Sequence, residues 1–330
     1  MEFRGGRNIM NRNVEFLFWA GRYLERAEHY ARVINAYYHK RYRSHETEVE
    51  SEWEKLMFAL GDAVGLKAAH SHMNEGTVMH YLTFERTNAN SILSSLQQAR
   101  SNLRALRQLL PDGLWEVINT CYLWLKDHDV NKVFTYPPYK FYKRTCEQLS
   151  LFNGIAEASM VRDQNWNFLQ AGKSFERMRN TISMIRHSCG QLLQHSAASE
   201  QDWRYHQCQL LLKSCGGYEA FRQFHADKMN LDEAAYFLLH NAEFPRSVRY
   251  AISSLESCME MNLPLHHLIE HLSHRANMVP KLIRSSDPDV MNLLQQMLDC
   301  CNMLSLLIAE DCFSVGEAHS LPKSPVLINE

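Results

Sequence analysis

From Leu17 onward, apolar residues recur at Leu17, Ala20, Leu24, Ala27, Ala31, Ile34 and Tyr38. That 3-4-3-4 spacing draws a single stripe along a long helix, so the segment must bury one side of a rod. The other side carries Arg22, Glu25, Arg26, His29 and Arg32. The same apolar series returns at Phe168, Ala171, Phe175, Met178, Ile182 and Ile185, each 151 residues after its counterpart.

The charged face returns with it. Gly172 aligns with Gly21, Lys173 with Arg22, Glu176 with Glu25 and Arg177 with Arg26. Leu56 to Gly61 then matches Leu211 to Gly216 at an offset of 155, and Glu85 to Ile92 (ERTNANSI) matches Asn241 to Val248 (NAEFPRSV) at 156. Three matches in one order with a slowly drifting offset predict a tandem duplication. With 13 Gly and 9 Pro in 330 residues, chain-breakers are sparse, and no segment alternates with period two between turn signals. The expected fold is all-α, a helical bundle built from two tandem, pseudo-symmetric helical repeats.

The boundaries follow from the same pattern. Residues 1–9 read as a flexible extension, 10–136 as the first repeat, 137–310 as the second repeat with extra C-terminal helices, and 311–330 as a mobile tail, all in one body. Asp127 to Tyr142, with Pro137-Pro138, reads as the connection between halves. Asn88 and Ser91 can cap a helix from Ile92 to Leu110. Pro245 suits the first turn of a helix reaching about Glu260. Further helices are expected over Leu263 to Asn277 and Asp289 to Glu310.

A net charge of −2, from 35 Lys plus Arg against 37 Asp plus Glu, gives no global pull toward nucleic acid or an anionic membrane. The basic run Lys40 to Arg43 is followed at once by Glu46, Glu48, Glu50, Glu52 and Glu54, which reads as a solvated junction between helices. Nine cysteines, odd in number and without a CxxC pair, fit reduced thiols in a cytoplasmic protein. No apolar run approaches the ~20 residues that span a bilayer.

Asn13 to Arg32 (NVEFLFWAGRYLERAEHYAR) resembles the opening helix of the alpha-E family, with its W-x-G-R-Y-L-E-R-A-E core complete. Tyr81 to Ile92, Trp115 to Asn119, Gly154 to Glu157 through Arg162-Asp163, and Phe237 to Val248 agree with it in order. The chain departs where the family favours aspartate, with Glu85 and Asn241, and where its second long helix reads L-E-R-A-D, with Phe175-Glu176-Arg177-Met178-Arg179. The resemblance implies association with circularly permuted ATP-grasp amide ligases, as partner or as fused domain, in systems that also contain transglutaminase-like and proteasome-like proteins. On that reading ATP and Mg belong to the partner ligase, this chain binds no cofactor itself, and an amino acid or peptide is the substrate.

The spacing i, i+3, i+4 and i+7 puts Arg22, Glu25, Arg26 and His29 on one helix face. That face is either a solvated charge stripe or an interior polar site. Gly21 inside the helix costs about 1 kcal/mol relative to alanine, which points to a close helix crossing and so to the interior reading. If the two long helices meet, Arg22, Glu25 and Arg26 face Lys173, Glu176 and Arg177, a set in which guanidiniums bind a carboxylate and glutamates accept from an ammonium. Glu25, Arg22 and Arg26 are then candidate catalytic groups. Glu28, Glu85, Arg86, Glu157, Arg162, Asp163, Lys173, Glu176, Arg177 and Arg246 are candidate substrate-binding groups.

Other chemistries are weaker. Neither repeated helix holds the Glu-x-x-His pair of helical di-metal sites, only Glu25-x-x-Glu28. His267, His271 and His274 share a stripe that zinc could use, but it lies opposite Leu265, Leu268, Ile269 and Leu272, as exposed histidines would. His206–Cys208 and His187–Cys189 are spaced i, i+2 and cannot face one another on a helix. No phosphate-binding glycine loop occurs. An acyl-transfer or hydrolytic enzyme built on the Glu/Arg cluster, and a non-catalytic scaffold, both remain open.

Overall fold

The computed structural model describes residues 3–41, 49–69, 73–135, 137–194, 200–225, 229–259, 263–284 and 287–313. The first half contains α1 (Phe3–Arg41), α2 (Val49–Leu60), α3 (Ala63–Ala69), α4 (Glu75–Thr83), α5 (Ile92–Ala105), α6 (Asp112–Lys126), α7 (Val130–Thr135) and α8 (Pro138–Ser159). The second contains α9 (Gln164–Gln194), α10 (Glu200–Ser214), α11 (Tyr218–His225), α12 (Leu231–His240), α13 (Val248–Cys258), α14 (Leu263–Ala276), α15 (Val279–Arg284) and α16 (Asp289–Ile308). A single π-helical turn, Ala309–Phe313, follows. Every regular element among the described residues is helical.

The two longest helices cross at the centre. α1 packs along α9, and both apolar stripes are fully buried, Leu17 to Tyr38 on one and Phe168 to Ile185 on the other. Phe18 and Phe175 meet across the crossing with ring centroids 6.1 Å apart, and Phe313 closes over Phe18 at 5.5 Å. α5 and α8 lie on α1, while α13 and α16 lie on α9. α6 backs onto α8 as α14 backs onto α16. α10 reaches over to α1, and α2 to α9.

Helix ends are set by similar devices in the two halves. Gly61 and Gly216 follow α2 and α10 with φ of 77° and 67°, a left-handed conformation that only glycine adopts without strain. At each, two amides turn back onto the helix: Gly61 to Phe58 and Asp62 to Met57 in one, Gly216 to Lys213 and Gly217 to Leu212 in the other. Ser91 accepts from the Ser94 amide at the start of α5, and Ser247 from the Tyr250 amide at the start of α13.

Several boundaries differ from the expectations. α1 is helical from Phe3, because adding turns to an existing helix needs no new nucleus. Asn88 does not cap α5; its amide donates to the Tyr81 carbonyl and its oxygen accepts from the Asn90 amide, bracing the turn. α5 stops at Ala105, and the stretch to Leu110 forms tighter turns. Pro245 lies before α13, in a turn where the Asn241 side chain accepts from the Glu243 and Phe244 amides. The segment expected to connect the halves is largely α7 and the start of α8. Arg43, Glu46 and Glu48, and the tail from residue 314, lie outside the described residues.

Candidate functional site

The charged face of α1 does not look into solvent. Gly21 and Gly172 bring the α1 and α9 backbones together: a Cβ on Gly21 would stand 2.3 Å from the Leu169 carbonyl oxygen, and one on Gly172 1.9 Å from that of Phe18. At that approach the charged residues one turn on face each other across the two helices. Glu25, Glu28 and Glu176 are buried together with Arg22 and His29. A carboxylate in such surroundings is tolerated only when paired and hydrogen-bonded.

The pairing crosses the helix interface in both directions. Glu176 accepts from Arg22 Nε at 2.9 Å and from Arg26 Nε at 2.7 Å. Glu25 accepts from Arg177 Nε at 2.7 Å and from Arg246. Arg246 also reaches Glu28 at 2.5 Å, where Arg32 donates as well. Gly216 lets the two arginine stems past, since a Cβ there would meet both Arg32 and Arg246 at 3.3 Å. The Arg22 guanidinium lies 4.5 Å from the ring centres of Trp19 and of Phe175 and donates to Ser305 Oγ at 2.9 Å.

A second polar string runs off the same core. Arg26 donates to Asn90 Oδ1 at 3.0 Å, Asn90 to Asp62 at 3.3 Å, and the Tyr30 hydroxyl to Asp62 at 2.7 Å. Burial raises the Asp62 carboxyl above its ordinary range, with the bonds from Tyr30 and Asn90 opposing. Glu25 behaves oppositely. Burial pushes it up, but Arg177, Arg246 and Arg32 outweigh that and hold it at about 2. Glu176 is likewise held low, because Arg26 and Arg22 overcome its burial. Burial, with Arg32 beside it, takes His29 down to about 3, so it is neutral at physiological pH. Burial and then Arg177 bring Lys173 down to about 8, and its ammonium donates to Asn153 Oδ1 at 3.2 Å.

Of the residues expected to form one site, Arg22, Glu25, Arg26, Glu28, Glu176, Arg177 and Arg246 form this network, with Lys173 at its edge. Glu157, Arg162 and Asp163 do not join it. They are exposed at the α8–α9 turn, where Glu157 and Arg162 pair at 2.6 Å, Arg162 stacks 3.7 Å from the Trp166 ring centre, and Asp163 accepts from the Trp166 amide. Glu85 accepts from the Thr87 amide and hydroxyl in the turn after α4, and Arg86 is exposed beside it. These five are polar residues of helix-ending turns, which sequence spacing alone cannot separate from site residues. Sequence reasoning misses Asn90, Asp62 and Ser305, because only the tertiary fold brings them to Arg22 and Arg26, whereas Tyr30 lies one turn beyond Arg26 on α1 and its spacing could have found it.

The expected substrate pocket between the charged faces is filled by the side chains themselves. Beside Gly21, Glu25, Asn153 and Lys173 there remains a cavity of about 10 Å³, the size of one water. Glu176 and Glu25 are the most enclosed side chains, at 0% and 1% exposure, Glu28 and Arg22 are alike at 7% and 8%, and Arg177, Arg26 and Arg246 are the most open, at 12%, 14% and 16%. His267, His271 and His274 are exposed, on the side of α14 away from buried Leu265, Ile269 and Leu272. Among the described residues no three His, Cys, Asp or Glu side chains come together as a metal set. No helix among them is long and apolar enough to cross a membrane.

Residues 9–313 match the Alpha-E model, described as a predicted alpha-helical domain with a conserved ER motif. The chain belongs to the Alpha-E family. Three Glu-Arg dipeptides occur in it, and two of them, Glu25-Arg26 and Glu176-Arg177, are the pairs that bridge α1 and α9; the third, Glu85-Arg86, lies in the turn after α4. This Alpha-E chain is 25% identical to uncharacterized proteins of Mycobacterium bovis and Mycobacterium tuberculosis, in an alignment of 271 residues covering 73% of it. A further M. tuberculosis strain carries one at 24% identity with the same coverage. The chain spans only 28% of the length of these relatives. No solved structure matches it.

Proposed function

We propose that this Alpha-E chain is the helical partner of an ATP-grasp amide or peptide ligase, holding an amino-acid or peptide acceptor while the partner, with ATP and Mg, activates the carboxylate. The observation that carries this is the layering of part of the network, with Glu25 and Glu176 inside and Arg26, Arg177 and Arg246 at the rim. Such a rim suits the carboxylate of an acceptor, and Arg26, Arg177 and Arg246 are the groups proposed to meet it. Family membership supports the reading, and so does the length of the relatives, in which the matched helical region is under a third of the chain. Glu25, Glu28 and Glu176 then position guanidiniums. With both oxygens engaged and its carboxyl held at about 2, Glu25 is poorly placed as an acid–base group, which weakens the alternative of an independent acyl-transfer or hydrolytic enzyme.

The two halves are proposed to be tandem repeats related by a pseudo-twofold axis at the Gly21/Gly172 crossing. The reciprocal bridges Arg26–Glu176 and Arg177–Glu25 support this, as does the shared order of packing from α1 to α8 and from α9 to α16. On this reading the repeats divide at the α8–α9 turn, not near residue 136.

The completeness of the pairing also favours a second reading, a pure scaffold. Co-purification with an ATP-grasp ligase, and an amide product that needs both proteins, is the expected result. Ligase activity indifferent to omission of this chain would overturn the partner role. Arg177→Gln or Arg246→Gln, altering stability without altering the KM for the acceptor, would leave the scaffold.

A further inference from the structure

Lys173 on α9 stands where Arg22 stands on α1, each three residues before a bridging glutamate, but its counter-charge has gone to another residue. Glu176 accepts from Arg22 and Arg26. The matching pattern would give Glu25 to Lys173 and Arg177, yet Glu25 accepts from Arg177 and Arg246. Lys173 is left with a neutral amide. Its ammonium donates to Asn153 Oδ1 at 3.2 Å and has no carboxylate within ion-pair distance among the described residues.

The amine is placed to react. Lys173 lines the one-water cavity with Gly21, Glu25, Phe152 and Asn153, and its bond to Asn153 is only partly buried. The charged and titratable groups facing it are Arg177 one turn on along α9, Arg246 from the turn before α13, Glu25 and Glu28 from α1, and the Cys258 thiol from α13. Both glutamates already serve guanidiniums. Burial and then Arg177 therefore favour the free amine, which is the nucleophilic form of lysine. Arg177, spaced i, i+4 from Lys173, and Arg246 lie at the rim, so an anionic reagent arriving at the amine meets a guanidinium.

We propose that Lys173 is a site of acylation, its ε-amine taking the acyl group of a small acyl phosphate at the cavity between α1, α8 and α9. The amine nitrogen attacks the carbonyl carbon, and the C–N bond forms as the bond from that carbon to the phosphate oxygen breaks. Phosphate leaves with the bonding pair and takes up the proton that the amine loses. The product is a neutral amide, which removes a cation that no carboxylate pairs. The site stands on the contacts of this chain and does not need the ligase reading.

The test is acetylation of the full chain by acetyl phosphate between pH 7 and 10, with each lysine followed by peptide mass spectrometry. At pH 8 an ordinary lysine holds less than about 1% free amine, and one that titrates there holds about half. Lys173, at about 8, should react at least about tenfold faster at that pH than the exposed Lys126 and Lys143, and its rate should level off while theirs still climb. Unfolding in urea should erase the lead. Asn153→Asp, which supplies the missing carboxylate, should slow Lys173 about tenfold at pH 8 and leave Lys126 unchanged. Lys173 reacting no faster than Lys126 at pH 8, a rate climbing in parallel with theirs to pH 10, a lead that survives urea, or an Asn153→Asp protein acetylated as fast as the parent would each overturn the proposal.

Discussion

Glu176 is the residue on which the crossing depends most. It is fully buried, it receives two guanidiniums, and neither Arg22 nor Arg26 has another carboxylate as partner among the described residues. Removing one partner of a buried ion pair leaves the other charge uncompensated and costs about 3–5 kcal/mol. Glu176→Gln keeps the shape and removes the charge, so the unfolding free energy extrapolated from urea titration should drop by that amount. Glu157→Gln is the control. Its pair with Arg162 is open to water, with Glu157 69% exposed, and exposed pairs contribute at most about 1 kcal/mol. A Glu176→Gln protein as stable as the Glu157→Gln one would mean that the network is solvated and not interior.

At the scale of helices, the α1–α9 contact rests on two glycines that spacing alone makes look expendable. Alanine is the better helix former by about 1 kcal/mol, so Gly→Ala inside a helix ordinarily stabilises. Gly154 in α8 is such a position, with nothing within 4 Å of where a Cβ would stand, and Gly154→Ala should raise stability by about 0.5–1 kcal/mol. Gly172→Ala has the opposite sign. Its Cβ would overlap the Phe18 carbonyl, and rigid backbone cannot yield without parting the helices and stretching every ion pair between them. The expected cost exceeds about 3 kcal/mol, in the range of overpacking together with a broken buried network. Circular dichroism melts of the two variants check the contrast, and a Gly172→Ala protein that melts like the parent would rule out the close crossing.

For the molecule as a whole, stability should be acid-sensitive, and the order of events follows from its buried groups. His29 and His187 ordinarily titrate near 6.5, but burial, aided by Arg32 in one case and Lys40 in the other, holds them at about 3 and about 4 when folded. Between those values and 6.5 the unfolded chain takes up two protons that the folded chain refuses, so stability falls as pH falls. Glu25 adds to the loss below 4.5, down to about 2, because the folded carboxylate again resists a proton that the unfolded one accepts. Stability from these groups is therefore complete above about pH 6.5 and declines from there. Calorimetry at pH 7.5, 6 and 5 should show a melting temperature that is already falling above the range in which an ordinary glutamate titrates. His29→Gln should lessen the slope between pH 6.5 and 5; a flat profile from 7.5 to 5 would show that neither histidine is buried neutral.

Much of this was legible in the chain itself. Helical period is local, so the stripes from Leu17 and Phe168 identified the two central helices, and the in-helix glycines beside charged residues identified their crossing. The gathering of Arg22, Glu25 and Arg26 with Glu176 and Arg177 followed from that one assumption of contact. The sequence could not say that the gap between the charged faces is closed by the side chains themselves, because packing depends on how near two backbones come. Nor could it say that Glu157, Arg162 and Asp163 end helices, since a capping residue and a site residue are alike in type and spacing. Asn90, Asp62 and Ser305 reach the core from elements 64 to 283 residues away from their arginine partners or linked to them through one intermediate, as Asp62 is through Asn90. Local pattern carries no trace of such contacts; only the tertiary fold, which chooses which distant polar groups share one dry interior, decides them.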